Sequence, residues 1–107
     1  MRFETADSFK ADYKRLSRTE RALFSRAVKS ITRAYADYVR NRAKWPPQWP
    51  KELRMQSVVD AKGIFEMTWS FSGPDGRATF EFVNINGEPA IRLRRIGDHA
   101  VVTSRNA

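Results

Sequence analysis

The residues able to do chemistry gather in the second half of the chain. Glu66, Arg77, Arg92 and Arg94 each fall on the polar side of an alternating apolar–polar run, and the only histidine, His99, follows the last of these runs. Alternation sends such side chains to one sheet face, where neighbouring strands bring them within a few ångströms. Metal-free cleavage of an RNA backbone needs a base for the attacking hydroxyl, an acid for the leaving oxygen and fixed positive charge for the phosphorane. Arginine suits only the last role: it stays protonated and grips phosphate through a planar fork, so Arg77, Arg92 and Arg94 are candidate clamps. His99, with an ordinary pKa of about 6.5, can act as base or acid near neutrality. Glu66 or Glu52 is the candidate partner, although an outward glutamate between arginines also reads as a plain ion pair.

The elements that must position these groups follow from periodicity. Phe65, Met67, Trp69 and Phe71 alternate with Glu66, Thr68 and Ser70, the pattern of a half-buried strand. Pro74-Asp75-Gly76 supplies a turn, after which Ala78, Phe80 and Phe82 face the core. Asn86-Gly87 is a hairpin signal, and in the last strand Ile91 and Leu93 point in. Arg95 and Ile96 break the alternation, so a bulge is expected near Gly97; without one, His99 would point to the core face. Leu53 to Val59 alternate imperfectly, as a first strand or an extended approach to one.

The N-terminal half reads differently. After a β-like entry at Arg2 to Thr5, Phe9, Tyr13 and Leu16 share one face of a helix of about three turns, with Asp7 or Thr5 as possible cap. Ser17-Arg18-Thr19-Glu20 has capping-box spacing, so a second helix begins there; Phe24, Val28, Ile31, Tyr35 and Val39 carry it to about Ala43. Lys29, Arg33, Arg40 and Arg42 lie off that stripe. Trp45-Pro46-Pro47-Gln48-Trp49-Pro50 ends the helix in a loop whose tryptophans pack against the sheet edge, base stacking being the alternative. The fold class expected is α+β: an N-terminal helical hairpin packed on a three- or four-stranded antiparallel sheet.

Composition sets the limits. A chain of 107 residues makes one domain, residues 1–107. Twenty Lys and Arg against twelve Asp and Glu give a formal charge of +8, which favours an anionic partner. The helices hold most of it, with twelve cations against five acids in residues 1–45. With no cysteine and one histidine, neither a disulfide framework nor a zinc or iron centre is expected, and no cofactor is implied. The N-terminus lacks the apolar core of a secretory signal and no run of about 20 apolar residues occurs, so a cytoplasmic protein without a membrane span is expected.

Taken in order, several motifs resemble the RelE/ParE superfamily of toxins from bacterial toxin–antitoxin pairs over nearly the whole chain. They are Phe9, Asp12, Tyr13 and Leu16 in the first helix, the proline-rich link to Leu53-Arg54, Gly63 to Met67, Arg77-Ala78-Thr79-Phe80, and the closing segment Arg94-Arg95-Ile96-Gly97-Asp98-His99. The resemblance implies a ribosome-dependent endoribonuclease that cuts mRNA in the A site without a metal. It makes Arg77 the phosphate-binding arginine and His99 the acid/base residue, with Lys51 and Glu52 where some members keep a catalytic Lys or Glu. Lys51, Arg54, Arg92, Arg94 and Arg95 would then hold nucleic acid. It also implies a cognate antitoxin, acidic or carrying a helix-turn-helix. Two positions depart from the pattern: Thr68 stands where an arginine is common, and Ala100, Val101 and Val102 follow His99 where several active members have a tyrosine. Two other readings therefore stay open, a ParE-like inhibitor of DNA gyrase and a nucleic-acid-binding accessory domain.

Overall fold

The computed structural model describes residues 1–69, 75–98, 102–103 and 106–107. In chain order the elements are β1 (Arg2–Thr5), α1 (Asp7–Lys14), α2 (Arg18–Arg40), a 3-10 turn (Lys51–Leu53), β2 (Gln56–Ser57), β3 (Phe65–Trp69), β4 (Gly76–Ile85) and β5 (Glu88–Asp98).

The helices start and stop where local chemistry dictates. At the head of α2, Glu20 N–H donates to Ser17 Oγ at 3.1 Å and Ser17 N–H donates to Glu20 Oε1 at 2.8 Å, completing the capping box that the sequence predicts. The other end falls short of Ala43. Arg42 turns left-handed at φ 49°, Ala43 N–H reaches back to Tyr38 O and Arg42 N–H to Val39 O, a Schellman-type stop with an arginine where glycine is usual. α1 has eight residues, about two turns rather than three, and is capped by neither Thr5 nor Asp7: Ala6 is its N-cap, without a side-chain hydrogen bond.

The sheet departs from the expected three or four antiparallel strands. It has five, in the order β1-β5-β4-β3-β2, and β1 pairs parallel with β5. The entry segment joins the sheet because its chain returns through two helices before β5 arrives, a crossover that permits parallel pairing. β2 is only two residues long, since Lys51–Leu53 coil into the 3-10 turn and Arg54 is left-handed at φ 45°. The β4–β5 hairpin is as expected: Ile85 pairs with Glu88 across Asn86 and Gly87, which adopt φ 52° and 86° as a two-residue primed turn demands.

Both helices lie on one face of the sheet. Phe9, Phe24, Ala27 and Ile31 pack against Met67, Trp69, Ala78, Phe80, Ile91, Leu93 and Ile96 to form the core. Trp49 stacks on Phe82 with centroids 5.8 Å apart, and Trp45 meets the same ring edge-on at 5.4 Å. Among the described residues no helix is long and apolar enough to cross a membrane.

One irregularity resets the register. Thr79 pairs with Arg95 while Phe80 pairs with Leu93, so the extra residue on β5 is Arg94, not a residue near Gly97. The bulge sits where two arginines follow each other, and it keeps both Leu93 and Ile96 in the core.

A candidate site on the outer face of the sheet

The face opposite the helices carries the candidate groups, and the strands place them as alternation requires. Thr68 of β3 pairs with Arg77 of β4, and Glu66 pairs with Thr79, so Glu66 and Arg77 are diagonal neighbours. Glu66 Oε2 lies 3.5 Å from Arg77 Nε, and Gln56 of the edge strand β2 donates from Nε2 to Glu66 Oε1 at 2.8 Å. Arg77 Nη1 also donates to Val102 O at 3.3 Å. These groups open into a cleft of about 460 Å³ lined by Gln56, Ser57, Val58, Val59, Glu66, Arg77 and Thr103.

This face is covered in part. Glu66, Thr68 and Thr79 are buried, and so are Val58 and Val102, two apolar residues apart from the main core. The C-terminal residues supply part of the cover. Thr79 Oγ1 and Arg94 Nε both donate to Ala107 O, at 3.2 and 3.0 Å, and Arg95 Nη1 donates to Asn106 O at 3.2 Å.

The arginines expected to clamp phosphate are matched by acids of the same chain. Arg92 lies between Glu4 of β1, 3.0 Å away, and Glu81 of β4, 2.9 Å away; strand register sets both neighbours directly opposite it. Hydrogen bonds to Glu4 and then to Glu81 raise the Arg92 pKa above its ordinary value. Arg94 shares Glu81 at 3.3 Å. Arg95 is held by both oxygens of Asp12, at 2.6 and 3.1 Å, and this bonding raises its pKa too. Arg54 pairs with Asp75 at 2.9 Å. Arg92 and Arg94 are about two-fifths exposed, so a phosphate can exchange for their carboxylates at small cost. The Arg95–Asp12 pair cannot be opened so readily, because Asp12 is 4% exposed and also accepts the Ile96 N–H at 3.1 Å.

Of the predicted set, the structure therefore brings Glu66 and Arg77 together at a cleft. Lys51 and Glu52 are exposed on the 3-10 turn and do not line that cleft. His99 lies outside the described residues. Among the described residues no group of His, Cys, Asp and Glu is arranged to hold a metal ion.

Glu4, Asp12, Gln56 and Glu81 are contributors absent from the sequence-based set. Two had a signal. Asp12 interrupts the apolar stripe of α1 beside Phe9 and Tyr13, and an acid on a buried face needs a partner. Glu81 falls on the outward side of β4, facing the outward arginines of β5 across the hairpin. Glu4 and Gln56 had none, because the parallel pairing of β1 and the two-residue length of β2 leave no local trace.

Comparison with protein-family models, with curated proteins and with solved structures returned no match.

Proposed function

We infer that this chain is a toxin of the RelE/ParE kind, acting as a metal-independent endoribonuclease on ribosome-bound mRNA in the cytoplasm and held in check by an acidic or helix-turn-helix antitoxin. The observation that carries the reading is the Glu66–Arg77 pair lining the outer-face cleft. A carboxylate and a guanidinium at 3.5 Å supply two of the three elements of backbone cleavage. Glu66 takes the proton of the 2′-hydroxyl as that oxygen attacks phosphorus. Arg77 steadies the charge on the phosphorane. The 5′-oxygen leaves with a proton from His99, the one titratable group of the chain suited to that step near neutral pH. The layout of two helices on one face of the sheet is compatible with the fold this family would bring.

The test is message cleavage in a purified translation system. Cleavage is expected only with ribosomes present. Arg77→Ala should lower it by about a hundredfold or more, the usual loss when a transition-state donor is removed, and His99→Ala and Glu66→Gln by a similar factor. Messages left intact by the unaltered protein on active ribosomes would sink the nuclease reading.

A second reading is a non-catalytic binder, of the kind that inhibits DNA gyrase. The internal neutralisation of Arg92, Arg94 and Arg95 favours it, because those cations face carboxylates of their own chain rather than an open phosphate site. Loss of supercoiling by purified gyrase, with messages intact, would select this branch.

A further inference from the structure

A second strongly charged feature lies away from the sheet. At about 100° per residue, Arg18, Arg26, Lys29, Arg33 and Arg40 of α2 fall within an arc of about 80°. They run along the helix for about 33 Å at 1.5 Å per residue. All five are exposed. The only other residues in that arc are Ala22 and Ala36, also exposed. The buried residues Phe24, Ala27 and Ile31 lie on the opposite side of the helix, so the ridge faces away from the sheet and from the cleft. Arg40 pairs with Asp37; among the described residues no ion pair or side-chain hydrogen bond is made by Arg18, Arg26, Lys29 or Arg33.

We propose that this ridge docks on the phosphate backbone of a double-helical nucleic acid, without reading its sequence. Three features choose that occupant. A protein partner would need an apolar anchor at the centre of the interface, and the ridge offers nothing larger than alanine. A single strand would need aromatic platforms for its bases, and the arc has none. A duplex presents phosphates already fixed in space, at one charge per about 1.7 Å of axis, so a straight rod of cations meets it without ordering either partner. The ridge length of about 33 Å is close to one duplex turn of roughly 34–36 Å. Because ridge and cleft lie on opposite sides of the molecule, duplex docking is separate from the cleft and does not depend on its chemistry.

The experiment measures binding of the full chain to a fluorescent 20-base-pair duplex, RNA in one arm and DNA in the other, across a salt series. The triple variant Arg26→Gln, Lys29→Gln, Arg33→Gln is compared with a control of equal charge loss on exposed residues elsewhere, Arg2→Gln, Lys10→Gln, Lys14→Gln. Circular dichroism establishes that both fold. The ridge variant should lower affinity by at least about tenfold and flatten the slope of log K against log salt by about 2 to 3, at roughly 0.9 for each phosphate no longer neutralised. The control should change the slope by less than about one. Equal losses in the two variants would reduce the effect to net charge and overturn the proposal. So would tighter binding of a single strand or of polyglutamate than of either duplex, or no duplex binding at low salt.

Discussion

The outer face of the sheet and the outer face of α2 are both rich in arginine, yet they treat it in opposite ways. On the sheet, Arg77, Arg92, Arg94 and Arg95 each meet a carboxylate, and those carboxylates come from β1, α1, β3 and β4. On α2, four of five cations in a row make no ion pair among the described residues. Pairing across strands joins segments far apart in sequence, so opposite charges can be matched wherever the register allows. A helix face is written by one segment alone, and around Lys29 it sets cations three residues before and four residues after, at Arg26 and Arg33. Arg26–Lys29 and Lys29–Arg33 are like-charge pairs that each weaken the helix by about 0.2–0.5 kcal/mol. The sheet arginines are thus matched within the fold, whereas Arg26, Lys29 and Arg33 repel one another along their helix.

The largest effect expected from that contrast is at Asp12. Asp12→Ala removes the carboxylate that pairs with Arg95 and accepts the Ile96 N–H at the edge of β5 that β1 does not cover, leaving the guanidinium only the Asn106 carbonyl. A loss of about 3 kcal/mol is expected in denaturant unfolding, the scale of breaking a buried ion pair. Adding Arg95→Met should restore at least half of it, since the cost lies in the abandoned charge. If the double variant is no better than the single, Asp12 acts through packing of α1, and the contrast between the faces weakens.

Next in size is Ser17, which fixes where the ridge begins. Ser17→Ala removes the acceptor for Glu20 N–H and should cost about 1 kcal/mol, measured in the same way. Duplex affinity in folded protein should hardly move, because no ridge cation is touched.

Much of this was legible in the sequence, and what was not has definite causes. The capping box, the core faces of β3, β4 and β5 and the Asn86-Gly87 hairpin depend on neighbours within a few residues, and periodicity reports them. The parallel pairing of β1 is set by tertiary packing of Arg2–Thr5 against a strand about 90 residues away, which no local pattern encodes. The bulge was expected from the broken alternation but three residues too late, because Arg94 and Arg95 read alike and either can be the extra residue. At the site, the outward arginines were placed well, but their neutralisation was not: Glu4 and Asp12 lie in the N-terminal half, and only the fold brings them to β5. The cover over the outer face has no local signal for a similar reason, since Val58 sits on the polar side of the imperfect alternation of Leu53 to Val59 and Val102 lies beyond the last strand pattern.

A smaller effect is expected at Glu81, which serves two arginines at once. Glu81→Gln keeps hydrogen-bonding capacity but removes the charge, and with Arg92 and Arg94 both about two-fifths exposed the stability loss should stay below about 1 kcal/mol. Freed from Glu81, the two cations should steepen the salt dependence of nucleic-acid binding. No steepening would mean that the sheet arginines serve the fold alone.

The smallest effect has the opposite sign and tests the ridge most sharply. Lys29→Glu turns the repulsion from Arg26 and Arg33 into attraction, and glutamate four residues before a cation is the favourable order in a helix. The position is exposed, so packing is unchanged. Stability should rise by about 0.5 kcal/mol, or about 2–4 °C in the melting temperature of a domain this size, and duplex affinity should fall. A substitution that strengthens the fold while weakening binding identifies a residue kept at odds with its own helix. Were the melting temperature to drop instead, the cations of the ridge would be supporting α2, and the difference between helix and sheet would lose its physical basis.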